Sequence, residues 1–230
     1  MTDEVYSEVD DYLDGLFGFP DTALDAALRR SREAGLPQIA ISSNVGRFLQ
    51  VLIAACGARR VLEIGTLGGY STIWLARALP DGGHLITLEY EPLHAEVART
   101  NLDAAGVGER TEILIGRALD SLEELADEGV EPFDLVFLDA DKESYVAYLD
   151  AAVALSRPGT VIVADNVVRG GAILAPDSDD TSAQGIHRFN TALAEHPALG
   201  AVSILQVVGH KGHDGLAFGV IADPEATASA

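Results

Sequence analysis

A chain of 230 residues, 48% of them hydrophobic, can bury one sizeable core. Its formal net charge of −21, from 36 Asp and Glu against 15 Lys and Arg, opposes unassisted binding to nucleic-acid backbones or anionic membranes. The single cysteine, Cys56, excludes an intrachain disulfide, and no apolar run approaches the ~18 residues of a membrane span. These bounds point to one soluble domain over residues 1–230 in a reducing cytoplasm, with no membrane partner. The acidic start, Met1 to Asp11, lacks the basic region and apolar stretch of a secretory signal. Cys56 follows the apolar residues 51–55 and is expected to be a small buried side chain. The only lysines are Lys142 and Lys211; high-salt adaptation and a GC-rich genome would each leave that pattern.

In chain order, residues 3–14, 22–34 and 43–55 read as helices. The third carries Val45, Phe48, Leu49, Leu52 and Ile53 at helical spacing. They form an N-terminal cap over the sheet, or a dimer face, ahead of a core over residues 56–222. From Arg59 onward, β-prone runs at 60–64, 85–89, 111–115, 134–138 and 160–164 alternate with amphipathic or Ala-rich segments. That alternation predicts an α/β, Rossmann-like, doubly wound parallel sheet with helices on both faces. Two further runs, 202–208 and 216–221, are separated by Gly209-His-Lys-Gly-His-Asp-Gly215. This spacing suits a hairpin loop, so the sheet should end in an antiparallel pair. The small polar tail, 223–230, is expected to fray.

Val61 to Thr72 runs from the first strand through a glycine turn into a helix. Gly65, Gly68 and Gly69 allow a ligand close to the backbone, but their spacing is not Gly-x-Gly-x-x-Gly and no Walker lysine is present. Glu89 ends the second strand, where an acid hydrogen-bonds ribose hydroxyls. Together they indicate an adenosine-type cofactor. Trp74 is assigned to the core.

Two later strand ends carry oxygen ligands: Phe-Leu-Asp-Ala-Asp-Lys (Phe137 to Lys142) and Val-Ala-Asp-Asn (Val163 to Asn166). Strands ~4.8 Å apart can bring Asp139, Asp165 and Asn166 onto one ion. An all-oxygen set suits Mg2+, with Mn2+ or Ca2+ as substitutes, and disfavours zinc or copper. Bland readings stand beside this one. Asp141 is better placed to cap the following helix than to bind metal, Asp165-Asn166 could form a turn, and Lys142 could be a solvated surface lysine. The six histidines show no metal-ligand spacing on one helix face.

Glu-Ile-Gly-Thr-Leu-Gly-Gly-Tyr-Ser (Glu63 to Ser71), Leu-Asp-Ala-Asp-Lys and Asp-Asn, in this order and at these separations, resemble the cation-dependent O-methyltransferases of the catechol and caffeoyl-CoA type. The likeness spans residues 38–220 and includes Arg188-Phe-Asn190 and the Gly-x-Lys-Gly-x-Asp-Gly loop. It implies the seven-stranded class I methyltransferase sheet with a reversed last strand, and S-adenosylmethionine as cofactor. It further implies that Glu63, Gly65, Thr66 and Ser71 contact the methionine end of the cofactor and Glu89 its ribose. Ala118 would lie against adenine, and Ile41 and Asp139 also belong to the cofactor-binding set. Asp139, Asp165 and Asn166 match the metal ligands, and Lys142 the general base. The acceptor would be a small phenol with vicinal hydroxyls and the protein a homodimer.

Four residues depart from the family pattern. Val168-Arg169 stands where plant relatives carry leucine and tryptophan, Ser144 replaces a common asparagine, and His213 occupies a loop where tryptophan is frequent. Arg169 could pair with an acidic acceptor or line the surface, and His213 could sit at the substrate mouth. Rival readings are a tRNA hydroxyuridine O-methyltransferase of the same family, a nucleotide-binding dehydrogenase and a non-catalytic cofactor-binding protein. Net charge disfavours the first and the glycine spacing the second.

Overall fold

The computed structural model describes residues 3–18, 21–175, 177–209 and 211–223. Three helices precede the sheet: α1 (Asp3–Phe17), α2 (Thr22–Glu33) and α3 (Ser43–Cys56). Asp21 starts α2 by accepting the Ala23 and Leu24 N–H groups, each at 3.1 Å. Ser42 caps α3, which stops at Gly57 in the left-handed conformation, φ 65°. Then follow β1 (Arg60–Ile64), α4 (Tyr70–Ala78), β2 (His84–Glu89), α5 (Pro92–Ala104), β3 (Thr111–Ile115), α6 (Ala118–Asp127), β4 (Phe133–Leu138), α7 (Tyr145–Ala154), β5 (Ser156–Asp165), α8 (Thr181–Glu195), β6 (Leu199–Gly209) and β7 (Gly212–Ile221).

The strands form one sheet in the order β3-β2-β1-β4-β5-β7-β6, with β7 antiparallel to both neighbours. Alternate side chains of each strand feed opposite cores, as the two-residue period requires. Leu62, Ile64, Val136, Leu138 and Ile162 pack with Leu122, Tyr145, Leu149 and Phe189 of α6, α7 and α8. Val61, Leu135, Phe137 and Val163 pack with Ala27, Leu49, Ile53 and Ile73 of α2, α3 and α4. Both faces are therefore covered, each fully buried aliphatic side chain contributing ~1.5–3 kcal/mol. Trp74 belongs to the second core, edge-on to Tyr70 and beneath the Arg47 guanidinium.

The structure alters three local expectations. Cys56 is exposed: it ends α3 three residues after buried Ile53, and the helix stops there before another turn could enclose it. The loop expected over 209–215 is mostly strand, since Gly209 already pairs with Gly212, which stands at φ 86°. β5 begins at Ser156 rather than at 160, because a register shift between Phe133 and Leu135 lets Pro158 and Gly159 bulge out of the ladder. The tail expected to fray lies, after residue 223, outside the described residues. No described helix is long and apolar enough to cross a membrane.

Candidate active site

The parallel register aligns four strand ends. Ile64 of β1 pairs with Leu88 and with Leu138, and Leu138 pairs with Ala164. The next residue on each strand is therefore Glu89, Gly65, Asp139 or Asp165, one row at the carboxyl edge where β1 passes to β2 on one side and β4 on the other. Ligands of open α/β sheets bind at such a switch point. A cavity of about 1250 Å³ opens above this row. Of the residues expected to bind cofactor or metal, Ile41, Gly65, Thr66, Ser71, Glu89, Ala118, Asp139 and Asn166 line it, as does Lys142.

Gly65 stands at φ 104°, and a Cβ there would lie 2.2 Å from the Asp139 carbonyl oxygen. Only glycine permits the β1 and β4 ends to approach this closely. The loop beyond it is pinned from two sides. Glu89 Oε2 accepts the Leu67 N–H at 2.7 Å and the Thr66 N–H at 3.2 Å, and Asn101 Nδ2 donates to the Gly68 carbonyl at 2.8 Å. His94, placed among solvated or capping residues by the sequence, lines the cavity with Nδ1 3.3 Å from Glu89 Oε1.

Glu63 differs from the expectation of a direct cofactor contact. It is 0% exposed and is not part of the cavity wall; its carboxylate accepts the Ser71, Thr72 and Thr87 hydroxyls at 2.6, 2.5 and 2.7 Å. The physical reason is strand alternation: Glu63 points with Val61 beneath α4, so it positions Ser71 from below. Burial pushes its carboxyl up to about 7, against the pull of those hydroxyls.

At the acidic end, Lys142 Nζ donates to Asp139 Oδ1 at 2.8 Å and to the Tyr145 hydroxyl at 2.7 Å. Tyr145 is fully buried, and its hydroxyl reaches the carbonyls of Leu138 at 3.1 Å and Asp165 at 3.2 Å, tying the β4 and β5 ends together. Burial and the charges of Asp139 and Asp165 hold this phenol well above its ordinary pKa, so it stays a neutral donor. Asp165, 9% exposed, lies just under the cavity wall; burial, then repulsion from Asp139, pushes its carboxyl up to about 7. Asn166 adopts φ 60° and donates Nδ2 to Asp214 Oδ2 at 3.3 Å. Asp141 does not cap a helix with its side chain; its carboxylate instead takes the Tyr148 hydroxyl.

Asp214, a residue that sequence reasoning passed over, organises the turn after the Asp-Asn pair. Its Oδ1 accepts the N–H groups of Val168 at 3.0 Å, Arg169 at 2.9 Å and Gly215 at 2.8 Å. The hairpin also sends Lys211 to the cavity, where Nζ donates to the Ile39 carbonyl at 2.8 Å and to that of Ala40. His213, between them, turns away to hydrogen-bond Gln206 at 2.8 Å and is not part of the cavity wall.

Comparisons with known proteins agree with this arrangement. The sequence model described as O-methyltransferase matches residues 21–213. A catechol O-methyltransferase of Niastella koreensis is 49% identical over 221 residues, 96% of this chain and 100% of the relative. One of Mycobacterium tuberculosis is 54% identical over 214 residues, 93% of this chain and 95% of the relative. The crystal structure of the Bacillus cereus O-methyltransferase in complex with SAH superposes with a TM-score of 0.93 at 45% identity, covering 96% of this chain and 100% of that one. That of TomG, a Streptomyces achromogenes O-methyltransferase of tomaymycin synthesis in complex with SAM, gives 0.92 at 45% identity over 97% and 100%. With a glycine loop and acids at three strand ends in one row of the same class I methyltransferase sheet, the chain belongs to the O-methyltransferase family.

Proposed function

We propose that this chain transfers a methyl group from S-adenosylmethionine to one hydroxyl of a small vicinal-dihydroxy aromatic, with a divalent cation held by Asp139, Asp165 and Asn166. The observation that carries this reading is the row Glu89, Gly65, Asp139, Asp165 with Lys142 Nζ 2.8 Å from Asp139. The names of the Niastella and Mycobacterium relatives support the acceptor class, and the SAH and SAM in the two crystal structures support the cofactor.

The donors suit a hard cation, because all are oxygens and the Asp139–Asp165 repulsion that raises the Asp165 carboxyl is what a cation relieves. Among the described residues no cluster of three or more His, Cys, Asp or Glu is gathered for a metal, so the third protein ligand in this reading is an amide. A bound divalent cation supplies positive charge that favours the ionised form of a phenol whose ordinary pKa is ~10. The chain's own groups do the rest. Gly65, Thr66 and Ser71 hold the methionine end of the cofactor, and Glu89 the ribose. Lys142, positioned by Asp139 and Tyr145, would take the acceptor's hydroxyl proton at Nζ as the neutral amine, having first given up its own extra proton to solvent. The acceptor oxygen attacks the methyl carbon, and the electron pair of the broken S–C bond stays on sulfur, giving a methyl ether and a thioether. Walls closed by Ile41, Tyr148 and the turn at 166–169 exclude water and fix the line of attack.

The working form is proposed to be a homodimer, because edge strand β6 exposes Val202, Ile204, Leu205 and Val208 beside α1, which exposes Val9, Tyr12 and Leu16. Methyl transfer to caffeic acid, assayed with Mg2+ and then with EDTA, tests the chemical reading. Turnover should need the cation, and Lys142→Ala should lower kcat by ~100-fold or more with little change in cation affinity. Cation-independent turnover, or an unchanged rate in the variant, would remove the cation or the lysine from the mechanism.

A further inference from the structure

The cavity wall contains Arg32, Arg117, Lys142, Arg169 and Lys211, a third of the 15 basic residues of a chain whose net charge is −21. The same wall carries Glu89, Asp139, Asp141 and Asp214, so its charges nearly balance, against a strong acidic excess over the chain as a whole. Lys142 is matched to Asp139. Arg169 is in a different situation. Its Nε is buried without a hydrogen-bond partner, in a residue three positions beyond Asn166. Buried guanidinium nitrogens are ordinarily paired, so this one has an unmet need.

The backbone that presents it is costly to hold. Arg169 adopts φ 50°, the left-handed region that residues with a Cβ avoid. The strain persists because Asp214 grips the Val168 and Arg169 N–H groups, while Gly215 gives room for Val168, whose Cγ2 would lie 2.6 Å from a Cβ at that position. Asp214 is thereby committed to backbone amides and Asn166 and is poorly placed to neutralise Arg169. Three residues before Asp214 on the same hairpin, Lys211 donates to two neutral carbonyls and has a third donor besides, with the carboxylates of Asp165, Asp139 and Asp214 near enough to act on it. A strained arginine with an orphaned donor, in a cavity wall that Lys211 also lines, is an arrangement that an anion completes.

We propose that Arg169, assisted by Lys211, recognises a carboxylate on the methyl acceptor, so that the preferred acceptors are vicinal-dihydroxy aromatics carrying an anionic side group. This rests on the catechol-type reading of the same site. Position favours the acceptor over the cofactor: Arg169 adjoins Asp165 and Asn166, whereas the residues assigned to ribose and adenine, Glu89 and Ala118, lie at the ends of β2 and β3, on the other side of β1. Elsewhere on this acidic molecule a carboxylate is repelled, which makes the local cations the basis of selection.

The test is equilibrium binding by titration calorimetry to enzyme loaded with S-adenosylhomocysteine and Mg2+, comparing 3,4-dihydroxybenzoate with catechol, and with benzoate as the anion that lacks hydroxyls. The native chain should bind dihydroxybenzoate at least ~10-fold more tightly than catechol, with the ratio falling as salt rises. Arg169→Asn, which tolerates the left-handed backbone, should bring the ratio below ~3, and Arg169→Lys should restore part of it. Lys211→Met should lower the ratio in the same direction, an independent check should the Arg169 variants not fold. Equal native affinities for the two diphenols, or equal weakening of both in Arg169→Asn, would overturn the proposal. Parallel methyl-transfer assays separate the two readings. If both diphenols are methylated with the same relative kcat/KM in the native chain and in Arg169→Asn, the anion site falls and the catechol reading stands. If neither is methylated yet Arg169→Asn weakens benzoate binding ~10-fold, the anion site stands and the catechol reading falls.

Discussion

Glu63 lies in β1 and Asp139 just past the end of neighbouring β4, and the first carboxylate goes under the glycine loop while the second reaches the cavity. At Glu63 the carboxyl is held up to about 7 mainly by burial, whereas in the unfolded chain it titrates near 4.5. Between those values the folded state keeps a proton that the unfolded state releases. Raising the pH through this window therefore lowers stability, by on the order of 3 kcal/mol, and above pH ~7 the penalty is constant. Chemical denaturation at pH 4.5 to 8, compared between the native chain and Glu63→Gln, should show a steeper decline in the native chain. Parallel curves would mean that Glu63 is ionised throughout. The acidic oxygen donors were legible in the sequence because each stands at a strand end next to a recognisable apolar run. Glu63's role was not, since its motif neighbours Gly65 and Ser71 do reach the cavity and only strand alternation sets it apart. Tyr145 could have been found: it lies three residues after Lys142, the spacing that brings side chains together on a helical turn.

Gly185 sets the position of Lys142 from the opposite element. A Cβ on this α8 residue would lie 2.3 Å from the Lys142 carbonyl oxygen and 2.9 Å from Glu143 Cα, both backbone atoms. Alanine is the better helix former by ~1 kcal/mol, but an overlap with backbone costs ~1–3 kcal/mol and cannot be relieved by a rotamer change. Gly185→Ala should therefore lower the thermal midpoint and reduce kcat more than it changes cofactor affinity, measured by calorimetry and by steady-state kinetics. An unchanged midpoint would show that the 142–144 turn shifts freely. What Gly185 touches was not legible in the sequence, because α8 and the 142–144 turn are some forty residues apart. The hairpin shows a similar limit. Its existence followed from the spacing of two apolar runs, but how far the ladder runs, up to the Gly209–Gly212 pair, depends on the register between the two strands.

For the whole molecule, the seven-strand order buries both sheet faces but leaves one long edge. β6 exposes Ile204 at 39% and Leu205 at 51%, and unpaired apolar edges of this kind need cover. The proposed homodimer predicts that light scattering at micromolar concentration gives twice the mass of the 24.2 kDa chain. Val202→Glu combined with Ile204→Glu should raise the dimer dissociation constant by ~100-fold or more, because it buries unpaired like charges against each other. A native monomer would refute the proposal outright. Acidity alone would not keep copies apart, since screening at ~0.15 M salt limits repulsion to about 8 Å.

The sequence by itself determined the doubly wound sheet, its reversed last strand, the glycine loop and the acids at the strand ends. Each of these is written in local periodicity or in a short motif, and periodicity survives without knowledge of neighbours. Only the tertiary structure decided which strand ends share a row, that Glu63 lies beneath the loop, that Asp214 grips the Arg169 turn and that Lys211 rather than His213 faces the cavity. Those facts depend on parallel register and on contacts between residues far apart in the chain. Long-range packing selects among side-chain directions that local sequence leaves equally open.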